Sequence, residues 1–221
     1  MATTKKKTEI KVDASKIMSH YMQHVLEHEK EPTSIFKFCK ELKIEESQFY
    51  QFFGSFEALK RAIWNHFYTQ TVHLIEKDKN YQQYGNREKM LSFFFTMFEN
   101  LTLNRSYILF TLSAHKNMLK NLDQLKGLRS HIKEYATELI DDRNADKPYK
   151  ITQRSPKIFS EGAWLQFLFL LKFWMEDTSA GFEKTDVAIE KSVNTIFDVF
   201  DNTPLDSIID FGKFLWKENK N

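Results

Sequence analysis

The chain has 221 residues, enough for one or two closely packed domains with a sizeable core. Its 32 Lys and Arg stand against 30 Asp and Glu, a formal charge of +2, so the whole chain lacks the basic excess that would by itself imply nucleic acid. A single cysteine excludes an internal disulfide, and 21 Phe beside only 6 Gly and 4 Pro point to an all-α protein.

Residues 1–11 read as a solvated tail containing Lys5, Lys6 and Lys7, without the apolar core of a signal peptide. The first helix is expected from Asp13 to about Glu29, with Ala14, Ile17, Tyr21 and Val25 on one side and Glu31-Pro32 as its stop. His20, His24 and His28 fall along one flank of it. No Cys, Asp or Glu stands at ligand spacing beside them, so they read as a solvated stripe and not as a metal site.

The stretch from Thr33 to Leu59 is the most informative in the chain. Thr33 is the expected N-cap of a short helix whose apolar side is Ile35, Phe36, Phe38 and Leu42. Lys43-Ile44-Glu45 interrupts the pattern, and Ser47 to Phe53 forms a second short helix ended by Gly54. Ser55 can cap a long helix running to about Lys77, with Leu59, Ala62, Ile63, Phe67 and Leu74 as its buried stripe. Two short helices joined by a tight turn are a helix-turn-helix, whose second helix can enter a DNA major groove. In this reading Phe49, Tyr50 and Phe53 face inward and Ser47, Gln48 and Gln51 outward.

Asn80 to Arg87 is a polar joint and the expected domain boundary. Helices are expected beyond it over Glu88 to Leu101, Ser106 to about Leu119 and Leu122 to about Arg143, then a loop over Asn144 to Lys157. Phe159 to Glu176 is apolar nearly all round, so it must be covered on every side. Thr185 to Phe200 is amphipathic, and Leu205 to Trp216 is a last amphipathic helix. The longest apolar run, Ala163 to Met175, is too short to span a bilayer, and a cytoplasmic protein is expected.

The run Thr33-Ser34-Ile35, Phe38-Cys39, Ile44, Phe49-Tyr50-x-x-Phe53-x-Ser55-x-Glu57-Ala58-Leu59 resembles the N-terminal domain of TetR-type repressors, over roughly residues 12–65. The resemblance implies a helix-turn-helix head over 12–79 and a helical ligand-binding and dimerisation body over 80–221, about ten helices in all. It also implies that the long helix from Ser55 reports ligand occupancy to the head, and that helices 159–176 and 185–200 pair with those of a two-fold mate. There are departures. Lys43 stands where the family has Gly, Glu45 and Glu46 open the reading helix, and Phe56 replaces a phosphate-contacting Lys. From Thr33 to Lys60, four Lys meet four Glu, so this stretch has no net charge with which to displace counterions from DNA. A second, shorter run, Trp174-x-x-Asp177-x-Ser179 with Thr185 and Ile189, resembles a lipid-binding offshoot of the same fold that serves ubiquinone biosynthesis.

No phosphate loop, zinc motif or nucleophile triad stands out, so no enzymatic role, cofactor or metal is expected. Two functions remain. In the first, a ligand-responsive dimeric regulator, Ser47, Gln48 and Gln51 face bases, and Thr33 and Tyr50 contact phosphate, with Lys37, Lys40, Lys43 and Lys60 around them. In the second, the chain has lost DNA recognition and binds an apolar, lipid- or quinone-like ligand or a partner. Either way, an apolar pocket would be bounded by some of Phe94, Phe98, Phe110, Trp164, Phe167 and Trp174, which plain core packing would also explain.

Overall fold

A computed structural model of the protein describes residues 12–113, 121–145 and 155–202. Regular structure among the described residues is entirely helical, in nine α-helices. They are α1 (Ala14–His28), α2 (Ile35–Leu42), α3 (Glu46–Tyr50), α4 (Phe56–Ile75), α5 (Asn86–Leu103), α6 (Arg105–Ser113), α7 (Lys126–Ala145), α8 (Pro156–Glu176) and α9 (Glu183–Asn202). The Lys5–Lys7 tail, the far end of the helix expected from Ser106, most of the 144–157 loop and the helix expected at Leu205 to Trp216 lie outside the described residues. The chain forms two compact units, one of Met1–Phe67 and Leu101–Leu128, the other of Tyr68–Asn100 and Arg129–Asn221.

The first unit is built around Phe38. Its ring meets those of Tyr21, Phe49 and Phe56 edge-on, with centroids 6.1, 6.1 and 5.6 Å away. Ile17 and Val25 of α1 and Leu59, Ile63 and Trp64 of α4 complete the core. From the far side in sequence, Tyr107 of α6 lies 6.5 Å from Tyr21, and Gln124 accepts from the Trp64 indole N–H at 3.0 Å. The Gln124 amide donates in turn to the carbonyls of Asn121 and Thr111, so this buried side chain is satisfied.

Several expected positions shift. Ser34, not Thr33, caps α2: its Oγ accepts the Lys37 N–H at 3.3 Å, because the helix begins one residue later than read. Phe36 is 64% exposed, since it lies about 200° around the helix from Phe38 and cannot share its side. Tyr50 is 51% exposed: Phe49 and Phe53 fill the inward side, and Tyr50 is turned about 100° from Phe49. Leu74 is exposed, and Trp64, Thr71 and Ile75 are buried in the stripe on α4 instead. Pro156 and Lys157, read as loop, open α8, where the fixed φ of proline suits the first turn.

The second unit buries Phe93, Phe94, Met97 and Phe98 of α5 against Ile132, Tyr135 and Leu139 of α7, Phe167, Leu170 and Trp174 of α8, and Ile189, Val193 and Phe197 of α9. α8 and α9 pack together and are joined by a corner built on Asp177, which is 6% exposed. Its carboxylate accepts the Ser179 N–H and O–H at 2.8 and 2.6 Å and the Thr185 N–H and O–H at 2.9 and 2.7 Å. Burial alone would push this carboxyl up, but those four hydrogen bonds outweigh it and hold the group well below the usual carboxylate range. The residues that resemble the ubiquinone-linked offshoot are therefore the parts of this corner, with Trp174, Thr185 and Ile189 buried beside it. α8 is covered on one side. Leu165 and Phe169 on its other side are 65% and 56% exposed, as are Val187 and Val199 of α9 at 47% and 40%.

Candidate nucleic-acid interface

α2, the turn and α3 make the site. Phe38 and Cys39 anchor α2, and burial, then Glu46 and Glu45, push the Cys39 thiol up to about 11, so it is an inert core group. The end of α2 is closed by the Lys43 N–H on the Lys40 carbonyl at 3.2 Å and the Ile44 N–H on the Cys39 carbonyl at 3.0 Å. This places Lys43 at φ 59°, ψ 42°, the left-handed region that favours glycine. α3 is only five residues long, too short to hold itself by its own ladder. It is held by Phe49, whose ring meets Phe38, Phe53 and Phe56 within 6.1 Å, and by its first turn. There the Gln48 Oε1 accepts the Glu45 N–H at 3.0 Å, and the Glu46 carboxylate complements the helix dipole.

The side chains expected to meet DNA are placed unequally. Thr33, Lys43, Ser47 and Gln51 are exposed, as is Tyr50. Ser47 and Gln51 are four apart and share a side at the two ends of α3. Gln48 is half-buried and folds back as part of the cap. Lys60 is 15% exposed, with its ammonium on Glu31 at 2.8 Å. The Glu45-x-x-Gln48 spacing of the cap was readable in the sequence; the Lys60–Glu31 pair, across 29 residues, was not. An open groove of about 690 Å3 runs between α2 and α3, and Phe36, Lys40, Lys43, Glu45, Glu46 and Ser47 lie on it.

Of the histidine stripe read as solvated, His28 is exposed and His20 half-buried, but His24 is not solvated. His24 is 7% exposed, and its Nδ1–H donates to Glu41 of α2 at 2.7 Å. The His28 ring stacks on it at 4.2 Å, and the His28 Nδ1–H donates to the His24 carbonyl at 3.0 Å. The pair ties α1 to α2, a contact 17 residues apart that spacing along one helix does not reveal. Among the described residues, no group of three or more His, Cys, Asp or Glu is placed to hold a metal ion.

Of the rings expected around a ligand, the second unit brings Phe98 to within 6.0 Å of Phe167 and 6.2 Å of Trp174, and Trp164 to within 5.5 Å of Phe167. Phe94 is buried in the same unit, while Phe110 is half-buried in the first.

The profile of the family described as "Tetracyclin repressor-like, C-terminal domain" matches residues 89–215, more than half of the chain. The chain belongs to the tetracycline repressor-like family. The match lies wholly outside Thr33–Leu59, where the TetR-type residues of the head are found, so two separate stretches point to one family. No curated protein and no solved structure gives a match. The all-α architecture is that of the family, and no helix among the described residues is long and apolar enough to cross a membrane.

Proposed function

We propose that the protein is a non-enzymatic, cytoplasmic, dimeric regulator that binds duplex DNA through α3 and responds to an apolar ligand in its second unit. The observation that carries this reading is the division of α3: Phe49 is fully buried, whereas Ser47, Tyr50 and Gln51 are left at the surface. Ser and Gln are side chains that read base edges, and Tyr50, Thr33 and Lys43 are suited to phosphate. The exposed Leu165 and Phe169, one turn apart on the uncovered side of α8, support pairing with a second copy. Phe98, Trp164, Phe167 and Trp174, with Phe94 in the same unit, are the rings that a ligand would part. The test is a salt series on random duplex DNA. Affinity should fall steeply between about 50 and 200 mM salt, and Glu46→Lys should raise it; no binding at about 50 mM salt defeats the reading.

A second reading is supported by the same geometry, that of a family member that has given up DNA for an apolar ligand or a partner. Gln48 is spent on a cap, Lys60 is spent on Glu31, and Glu46 stands at the mouth of the site. Under it, long-chain acyl or quinone ligands raise the melting temperature while DNA has no effect, and no rise with any of them counts against it.

A further inference from the structure

Phe36 is the most exposed aromatic side chain among the described residues, at 64%. It is the second residue of α2, about 160° the short way around the helix from the buried Phe38 and one turn before Cys39, and its ring is left outside the core. Folding does not call for it: the Ser34 cap starts the helix, and an aromatic is a poorer helix former than the neighbouring Lys37. An aromatic kept here has its use when something apolar covers it. Phe36 shares the groove between α2 and α3 with Ser47, in the first turn of α3, so whatever covers the ring lies beside whatever Ser47 touches. Lys40 and Lys43 line the same groove at the end of α2, opposed by Glu45 and Glu46 at the start of α3, and Lys37 is exposed next to Phe36, so the cations near the ring are on α2. On the edges of base pairs in the major groove, the apolar feature is the C5-methyl of thymine, and phenylalanine is one of the side chains that contact it.

We propose that Phe36 is a specificity-determining residue that reads a thymine methyl next to the base met by Ser47. This rests on the DNA-binding reading above. The test is binding-site selection from a random duplex library with the full-length wild type and with Phe36→Ala, followed by replacement of each selected thymine with deoxyuridine, which removes only the methyl. The wild type should hold thymine at one position in each half-site and lose affinity about three- to fivefold when its methyl is removed, the effect of one buried methyl group. Phe36→Ala should bind more weakly and be indifferent to the methyl there. A wild type indifferent to uracil at every position, or a variant with the same penalty, overturns the proposal alone. A wild type that selects no site overturns the DNA-binding reading and the proposal with it. Because Phe36 is exposed, the variant should unfold in urea at the wild-type midpoint, which separates lost recognition from lost fold.

Discussion

The corner at Asp177 makes the sharpest prediction about the body. Asp177→Ala leaves four donors without their acceptor, the N–H and O–H of Ser179 and of Thr185. Water can reach Ser179, which is half-buried, so the unrecovered cost sits with Thr185, which is 1% exposed. Two hydrogen bonds to a charged acceptor, at about 1.5–3 kcal/mol each and less than additive, put the loss at about 3–5 kcal/mol. For a chain of this size, that lowers Tm by roughly 10 °C. Asp177→Asn keeps the shape but turns an NH2 toward donors, and should cost about 1–3 kcal/mol. The pH sign comes from the depressed carboxyl. The unfolded chain takes up a proton near pH 4 that the folded chain refuses, so the stability Asp177 adds is full at neutral pH and is lost as pH falls below about 4. Urea melts at fixed protein concentration from pH 7 to pH 3 should show a steeper acid limb for the wild type than for Asp177→Asn. An Asp177→Ala protein within about 1 kcal/mol of wild type, or parallel acid limbs, would refute the account.

Three further outcomes are expected. Lys43→Gly should raise stability in urea melts by about 0.5–1 kcal/mol, because the left-handed backbone at φ 59° penalises a side chain. His20 has its Nε2 buried without a partner, and burial lowers its proton affinity against the pull of Glu41. Its unfolded form therefore binds the proton more tightly, stability falls as pH drops below about 6.5, and His20→Phe should flatten urea midpoints measured between pH 7.5 and 5.5. If the protein pairs through α8 as proposed, Phe169→Asp places a charge on that contact and should convert dimer to monomer in size-exclusion chromatography with light scattering, weakening self-association by ~30-fold or more.

Helix identity was legible wherever apolar residues recur at helical spacing with nothing to contradict them. In the helix expected from Leu122 to about Arg143, Leu125, Leu128, Ile132, Tyr135, Leu139 and Ile140 recur at helical spacing, and all six are buried. What sequence conveyed poorly is which polar groups meet across the fold. The His24–Glu41 and Lys60–Glu31 pairs join residues 17 and 29 apart, and each changes a residue's role, one from surface to clamp and the other from phosphate contact to ion pair. Tyr50 departs from its inward expectation because three aromatics in five residues cannot all face inward on so short a helix. Phe36 reads as core when hydrophobicity is counted without its angle around the axis. Asp177 stands out in the sequence only as part of a resemblance; its chemical reason, an acceptor for two later residues, needed the corner to be folded.

The first unit is discontinuous. Asp123 pairs with Arg61 of α4 at 2.7 Å, and Gln124 receives the Trp64 indole, although some 60 residues separate the partners. During synthesis, the segment that reads as a self-contained head emerges from the ribosome long before the residues that finish it. A fragment cut after residue 79 would lack its closing layer, so an N-terminal piece expressed alone should be a poor stand-in for the head of the whole protein.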